Sequence, residues 1–221
     1  MFAWLRQKYS QQTGLASEFE YAKMPPSDTA LNNVRFLVID LELTGLNPRK
    51  DHIVSLGWLP VINGEIILAQ AKHYLVQPPN GVGQSAIYHG LHDNQLTQAN
   101  QLEALLTELL TNYAGYVFVA HFSALDRQFL RAACKQHFGL APSFRFIDTL
   151  RIEWRRLKQQ GQLIGQDMLQ LSACLARHNL PKQPSHHALE DAYGCAMLLL
   201  SQMKQCGKGA TLKQLYQLSR G

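Results

Sequence analysis

Two acids, Asp40 and Glu42, lie in residues 36–48, "FLVIDLELTGLNP", where they directly follow an apolar run. The four apolar residues before Asp40 predict a strand that is buried on both faces. Residues i and i+2 of a strand point to the same side, so both acids are aimed at one spot beside an apolar core. A bare charge is costly there. The pair therefore needs a counter-charge, and a hard divalent cation with oxygen ligands would supply it.

A third acid, Asp126, follows the apolar stretch Val117–Ala120. It falls on the first turn of a predicted helix that begins near Ser123. Two interpretations are open at this point. Asp126 either joins the first two acids as a ligand, or it stabilises the positive N-terminal end of its own helix.

A fourth acid, Asp191, lies on the apolar stripe of a predicted helix near the end of the chain. Its i+3, i+4 and i+7 spacing gives it a face in common with Ala188, Cys195 and Leu198. An acid on such a stripe needs a partner. Two histidines, His186 and His187, precede it by about one turn.

Four carboxylates and a nearby histidine suit two-metal hydrolysis of a phosphodiester bond. Two Mg²⁺ or Mn²⁺ ions about 3.5–4 Å apart would be held by the carboxylates, water and substrate phosphate. A histidine, with an unperturbed pKa of about 6.5, suits removal of the proton from the attacking water. The four acids are thus candidate metal ligands.

The secondary-structure elements that must position these residues are predicted to be strands in the first part of the chain and alternating helices and strands in the second. Strands are predicted over residues 35–41, 52–61 and 65–76 as an antiparallel meander, with Asn63-Gly64 as a hairpin signal. Further strands are predicted at 116–121 and 144–148, between helices at 99–113, 124–139, 149–159, 168–179 and 187–205. This order predicts a mixed sheet covered by helices.

The length of 221 residues suits one domain, with 46% hydrophobic and 17% charged residues typical of a globular chain. We predict an N-terminal helical extension over residues 1–30, a catalytic domain over 31–206 and a C-terminal helix over 207–221. No stretch approaches the roughly 18 apolar residues of a membrane span, and the four cysteines form no CxxC pair. We expect a cytoplasmic protein that does not bind membranes, and the net charge of +5 fits a polyanionic partner.

Three segments in order resemble the motifs of the DEDDh exonucleases, the family of the DNA polymerase III epsilon subunit, ribonuclease T and oligoribonuclease. They are "DLELTG" from Asp40, "VAHFSALDRQFL" from Val119 and "HHALEDA" from His186. Residues 86–91, "AIYHGL", and 146–150, "FIDTL", are similar to the epsilon group. The resemblance covers residues 35–203.

The resemblance implies a ribonuclease H-like α/β fold, a mixed five-stranded sheet flanked by helices. It implies release of nucleoside 5′-monophosphates from the 3′ end of a single strand, with DNA favoured. It assigns two Mg²⁺ or Mn²⁺ ions to Asp40, Glu42, Asp126 and Asp191. It makes His186 the general base and places Leu43, Thr44 and His89 near the terminal nucleotide.

Several points stay open at the level of sequence. Leu43 stands where the epsilon group usually has threonine. Phe122 replaces the common asparagine after His121, and it either stacks on a base or packs into the core. An RNA-trimming enzyme and a non-catalytic nucleic-acid-binding module are alternatives to a DNA exonuclease.

Two segments near the end of the chain suggest partner contacts. Residues 151–160, "RIEWRRLKQQ", either contact phosphates or form a solvated helix face. Residues 214–220, "QLYQLSR", faintly resemble a sliding-clamp peptide, although an amphipathic last helix explains them more simply. A polymerase or clamp is therefore a possible partner.

Overall fold

A mixed sheet lies at the centre of the computed structural model, which describes residues 14–77, 100–182 and 187–220. Its strands are β1 Phe36–Leu43, β2 Ile53–Ile62, β3 Glu65–Ile66, β4 Lys72–Leu75, β5 Val117–Ala120 and β6 Phe146–Asp148. Their order is β3-β2-β1-β5-β6, and β4 also pairs with β2. Strands β1, β5 and β6 are parallel, whereas β2 is antiparallel to its three neighbours. The predicted mixed α/β sheet is confirmed.

The described sheet has six strands rather than the predicted five, because the predicted third strand is interrupted. A 3₁₀ turn at Leu68–Gln70 separates the two-residue β3 from β4. The hairpin before it is as expected. Asn63 and Gly64 have φ of 55° and 77°, the left-handed pair that a two-residue type I′ turn requires.

Six helices flank the sheet in the described part of the chain: α1 Leu102–Asn112, α2 Ser123–Phe138, α3 Thr149–Gln159, α4 Leu171–Arg177, α5 Ala188–Gln205 and α6 Leu212–Ser219. Residues 14–21 are also helical. Helix α2 ends at Gly139 with φ of 73°, the C-terminal signal read from the sequence. Within the described ranges, no helix has both the length and the apolar character needed to cross a membrane.

Strand β1 is buried on both faces, as its apolar run predicts, and it divides the core in two. Leu37 and Ile39 join the cluster formed with α1 and α2. Phe36 and Val38 join the opposite cluster, which contains residues of α5 and α6. Because alternate residues share a face, the two acids that follow continue the second side, towards α5.

The segments outside the predicted catalytic domain also contribute to the core. The ring centroid of Phe19 lies 5.9 Å from that of Phe118 and 5.1 Å from that of Phe144. Leu212 and Leu215 of α6 are buried in the second cluster. These leucines belong to the chain's own core, which favours the amphipathic-helix interpretation over a clamp-binding peptide. The boundaries at residues 30 and 206 stay predictions.

The basic stretch of α3 is largely engaged within the fold. Arg156 donates to the fully buried Glu153 at 2.7 Å, and Arg177 of α4 donates to the same carboxylate at 2.9 Å. Arg155 donates to the backbone carbonyls of Gln217 and Arg220. Arg155 thus connects α3 to the end of α6, and Arg156 is paired within α3, so these two side chains favour neither phosphate binding nor a solvated face.

Candidate active site

The first acid pair lies at the carboxyl end of β1. Asp40 is opposite Gly57 of β2, and Glu42 is opposite Ser55. The pairing then shifts, so that Leu43 is opposite Ile53. The shift leaves Val54 of β2 without a partner in β1 beside the acids, and irregular pairing of this kind is common next to functional sites.

Helix α5 brings a third acid to this pair. One carboxylate oxygen each from Asp40, Glu42 and Asp191 lie within 4.8 Å of one another. The predicted face of α5 is also as expected, since Ala188, Cys195 and Leu198 are buried. The three acids are spaced as ligands of a shared cation would be, although 151 residues separate Asp40 from Asp191 along the chain.

Gly57 explains why α5 approaches the sheet so closely. A Cβ atom at this position would lie 2.2 Å from the backbone nitrogen of Leu189 and 2.3 Å from the carbonyl carbon of Ala188. Only a glycine lets the helix start rest on the strand opposite Asp40. Gly57 is not among the residues that the sequence motifs single out. A glycine inside a strand pattern is nevertheless a known sign of close backbone approach.

Asp126 lies on the first turn of α2 and is buried, with 6% of its surface exposed. It is outside the group of three acids within 4.8 Å, but its charge acts on Asp40. Burial raises the pKa of Asp126 to about 7, and hydrogen bonds from its own backbone and that of Leu41 oppose the rise. The structure therefore places Asp126 beside the cluster as a fourth acid.

The start of α2 is capped by Asp148, so Asp126 is not needed for the helix-capping role that the sequence left open. The Asp148 carboxylate accepts hydrogen bonds from the backbone N–H groups of Phe122, Ser123, Leu150 and Arg151, at 2.9–3.3 Å, and from the Ser123 hydroxyl at 3.0 Å. One side chain thus stabilises the N-terminal ends of both α2 and α3. This role of Asp148 is not visible in the sequence, since the two helix starts meet only in the fold.

Three of the four acids, Asp40, Glu42 and Asp126, have no positively charged partner among the described residues. Burial, and then the charges of Asp126, Asp191 and Glu42, raise the pKa of Asp40 well above its usual range. Burial, and then Asp191, raise the pKa of Glu42 to about 7. Such a cluster holds protons that a divalent cation would displace, so the oxygen-only ligand set fits a hard metal ion.

Of the two histidines before Asp191, His187 lies among the described residues. His186 lies outside the described residues, and so does His89. The ring of His187 lies with its centroid 4.2 Å from that of His73. His73 in turn is hydrogen-bonded to the Ser55 hydroxyl at 2.8 Å. His187 therefore packs on strand β4.

A further histidine near the site, His121, is held in a structural role. Its Nε2 lies 2.7 Å from the carbonyl oxygen of Leu169, and its Nδ1 lies 2.9 Å from the Thr149 hydroxyl. Only a donor can bond to a carbonyl, so Nε2 carries the proton and Nδ1 accepts. Burial lowers the pKa of His121. Both ring nitrogens have hydrogen-bond partners, which makes His121 a poor general base.

The predicted nucleotide-contacting residues Leu43 and Thr44 follow the acids directly. Leu43 is the last residue of β1 and is partly buried. The Thr44 backbone N–H donates to the His52 carbonyl at 2.9 Å, and the Thr44 hydroxyl accepts from the His52 N–H at 2.9 Å. These bonds close the loop after β1 and hold Leu43 and Thr44 next to the cluster.

Phe122 is exposed rather than buried, with 47% of its surface accessible. The core-packing alternative for this residue is therefore wrong. Its backbone has φ of 72°, in the left-handed region that costs a bulky residue free energy. The hydrogen bond from its N–H to Asp148 holds this conformation. A strained and exposed aromatic ring thus lies one turn before Asp126.

Comparison with known proteins gives a consistent assignment. The family model for RNase_T, described as an exonuclease, matches residues 37–199. The chain is 29% identical over 184 residues to the PolC-type DNA polymerase III of Thermotoga petrophila. That alignment covers 81% of this chain but only 13% of the polymerase.

Solved structures share the fold at low sequence identity. Exonuclease X in complex with 5′ overhanging duplex DNA superposes with a TM-score of 0.60 at 21% identity, over 84% of this chain and 99% of that one. The nuclease domain of 3′hExo, a DEDDh family member bound to rAMP, gives a TM-score of 0.64 at 14% identity, over 80% and 95%. These likenesses confirm the ribonuclease H-like fold. Because the family model spans most of the sequence, the chain belongs to the RNase_T exonuclease family.

Proposed function

We propose that this chain is a metal-dependent exonuclease that removes nucleotides one at a time from the 3′ end of a strand and releases nucleoside 5′-monophosphates. The observation that carries the proposal is the cluster of Asp40, Glu42 and Asp191 within 4.8 Å, with Asp126 beside it. A binding module would gain nothing from gathering four acids at one place, since their mutual repulsion costs free energy. The non-catalytic alternative is therefore disfavoured.

The roles of the acids follow from their positions. Asp40, Glu42 and Asp191 would hold two Mg²⁺ or Mn²⁺ ions, with Asp126 completing the set. When bound, these ions supply charge neutralisation for the attacking and leaving oxygens. The shift in pairing after Glu42 and the contact at Gly57 fix the spacing of the ligands.

Other residues would bind the substrate and move the proton. His186, as the general base, would accept the proton of the attacking water. Leu43, Thr44 and His89 would contact the terminal nucleotide. The exposed ring of Phe122 would stack on a base, a contact worth about 1–3 kcal/mol.

DNA is the favoured substrate, and RNA is the second candidate. The curated relatives are DNA polymerases by name, and Exonuclease X was solved with duplex DNA. The rAMP bound to 3′hExo is the observation that favours RNA. The PolC relatives also suggest a polymerase partner, which stays a proposal because the chain spans only 13% of their length.

The deciding experiment uses purified protein with Mg²⁺ or Mn²⁺ and 5′-labelled single-stranded DNA and RNA of matched sequence. Products are resolved over time on a denaturing gel. A ladder that shortens from the 3′ end on DNA supports the proposal, and a ladder mainly on RNA moves the enzyme to the ribonuclease side of the family. Internal cleavage, or no cleavage with either metal, would refute the proposed activity.

We predict that His186→Ala lowers kcat by about 10²–10⁴-fold, the usual contribution of a general base. The variant should still bind Mn²⁺ and DNA, because the acids are intact. His187→Ala should retain most of the activity, since the ring of His187 packs on His73. Single-turnover kinetics of both variants at saturating Mn²⁺ check this. If His186→Ala kept wild-type kcat and His187→Ala lost it, the general base would be His187 instead.

We also predict that metal-free wild type loses stability relative to a Glu42→Gln variant as pH rises from about 5 to about 8. An unfolded glutamate titrates at about 4.3, whereas burial, and then the charge of Asp191, raise the pKa of Glu42 to about 7 in the fold. The folded state therefore keeps the proton longer, so the free energy of unfolding falls as pH rises through this window. Urea unfolding in EDTA should show a change on the order of 2 kcal/mol.

Glu65→Gln, which removes an exposed acid of β3, is the matched control for this titration. Its stability should stay parallel to that of the wild type over the whole range. Adding Mn²⁺ should stabilise the wild type more at pH 8 than at pH 5, because a bound cation keeps Glu42 ionised. Parallel curves for wild type and Glu42→Gln in EDTA would contradict the prediction.

A further inference from the structure

A cavity of about 780 Å³ lies at the edge of the sheet beyond β6. It is lined by the starts of α2 and α3 and by the end of α6. Four arginines contribute to its wall: Arg127, Arg145, Arg151 and Arg220. None of these residues belongs to the acid cluster or to the predicted nucleotide-contacting set.

The positive charge of this cavity is not neutralised within the described chain. The guanidinium groups of the four arginines form no ion pair or hydrogen bond with any described residue. Among the described residues that line the wall, Asp148 is the one acid. Both of its oxygens already accept hydrogen bonds from the two helix starts. The cavity is therefore a concentration of available guanidinium donors, which suit phosphate oxygens.

Tyr216 supplies a further donor in the same wall. Its hydroxyl is buried and has no hydrogen-bond partner among the described residues. Burial raises the pKa of Tyr216, and nearby Arg145 and Arg220 oppose the rise. The hydroxyl thus stays protonated at neutral pH. A buried hydroxyl without a partner costs free energy, and a bound anion would satisfy it.

The cavity and the acid cluster share the first turn of α2. Ser123 and Arg127 line the cavity, while Asp126, between them in sequence, faces the acids. A strand whose 3′ end lies at the acids therefore has a positive surface close by. The exposed Phe122 comes directly before this turn.

We propose that the arginine-lined cavity is a second phosphate-binding site, which holds the substrate's phosphodiester backbone at a distance from the scissile bond. This inference rests on the proposed exonuclease function. It predicts that the cavity contributes to affinity for long strands, through ionic contacts to phosphates, and leaves the chemistry at the acids untouched. Ionic contacts of this kind weaken as salt rises, because each releases counterions from the nucleic acid.

The test compares wild type with the double variant Arg127→Gln/Arg151→Gln. Binding to a labelled single-stranded DNA of about 20 nucleotides is followed by fluorescence anisotropy in EDTA, so that no hydrolysis occurs. Salt is varied from about 50 to about 200 mM. The slope of log K against log salt should become shallower by about 1.4, since each single-strand phosphate contact adds about 0.7. Affinity at the lowest salt should fall at least about tenfold.

The matched control is Lys135→Gln/Lys204→Gln, which removes the same charge from two exposed positions outside the cavity. Its slope should equal that of the wild type. The double variant Arg127→Lys/Arg151→Lys keeps the charge and should restore the slope. The proposed site would be refuted if the salt slope of the Arg→Gln variant equalled that of the wild type, or if the Lys→Gln control changed the slope by the same amount.

Hydrolysis of thymidine 5′-monophosphate p-nitrophenyl ester by the wild type with Mn²⁺ separates this inference from the proposed function. Turnover of the ester, together with an unchanged salt slope in the Arg→Gln variant, would refute the cavity site and leave the exonuclease function in place. A shallower slope in that variant, with no turnover of the ester or of a DNA strand by the wild type, would support the cavity site and refute the exonuclease function.

Discussion

Replacing Asp40 by asparagine is expected to lower turnover of a labelled DNA strand by about 10³-fold or more, a loss comparable with removal of a transition-state-stabilising group. The carboxylate of Asp40 is one of three within 4.8 Å, and asparagine removes its charge with little change of shape. The same variant should be more stable than wild type without metal. Burial and three neighbouring acids raise the pKa of Asp40, so folding opposes the ionised side chain.

The gain should appear as a higher Tm, since each kcal/mol of stability is worth about 2–4 °C in a chain of this size. Thermal melts in EDTA and gel assays in Mn²⁺ measure the two effects on one preparation. Asp28→Asn, at an exposed position away from the cluster, should change neither. An Asp40→Asn protein that keeps a tenth of wild-type activity, or melts below wild type in EDTA, would exclude Asp40 from the metal site. Opposite changes in activity and stability would distinguish a ligand from a residue that only supports the fold.

Gly57→Ala is expected to lower activity by about 10²-fold without touching a single acid. The added Cβ would lie 2.2 Å from the backbone nitrogen of Leu189, a distance that atoms in proteins do not adopt. The start of α5 must therefore move away from the sheet and carry Asp191 with it. A displacement of about 1 Å in a catalytic group has an effect of this size. Overpacking of the strand should also cost about 1–3 kcal/mol of stability.

Lost metal affinity is the readout that separates displacement of Asp191 from a general loss of stability. Mn²⁺ titration at a temperature where the variant is folded should show weaker binding, and excess Mn²⁺ should recover part of the activity. Gly165→Ala is the control, since a Cβ there meets nothing within 4 Å. Normal Mn²⁺ affinity in the Gly57→Ala variant would show that α5 adapts to the extra atom. In that case Gly57 would not position the site.

The first acid pair illustrates what local pattern predicts well. A run of four apolar residues and a two-residue repeat were enough to place Asp40 and Glu42 on one side of a buried strand, and the fold agrees. The hairpin at Asn63-Gly64 and the helix end at Gly139 were equally predictable. Each depends on a few neighbouring residues whose backbone preferences are strong.

The basic stretch of α3 illustrates where local pattern fails. The sequence shows a concentration of positive charge, but it does not show that Arg177 of α4 reaches Glu153, the carboxylate to which Arg156 also donates. Four other arginines line a cavity and come from α2, the residue before β6, α3 and the residue after α6: Arg127, Arg145, Arg151 and Arg220. No repeat or spacing connects them, because long-range contacts leave no period in the sequence.

The sequence by itself determined the family of this protein, because the four acids, the histidine and their order along predicted strands and helices carry the resemblance. It also determined the mixed sheet, whose alternation and turn signals are local. Only the tertiary structure decided that Asp191 reaches Asp40 across a glycine contact, and that Asp148 caps two helices so that Asp126 is left for the site. Both results depend on backbone atoms from distant segments meeting at contact distance, which packing of the whole core fixes and no short stretch of sequence contains.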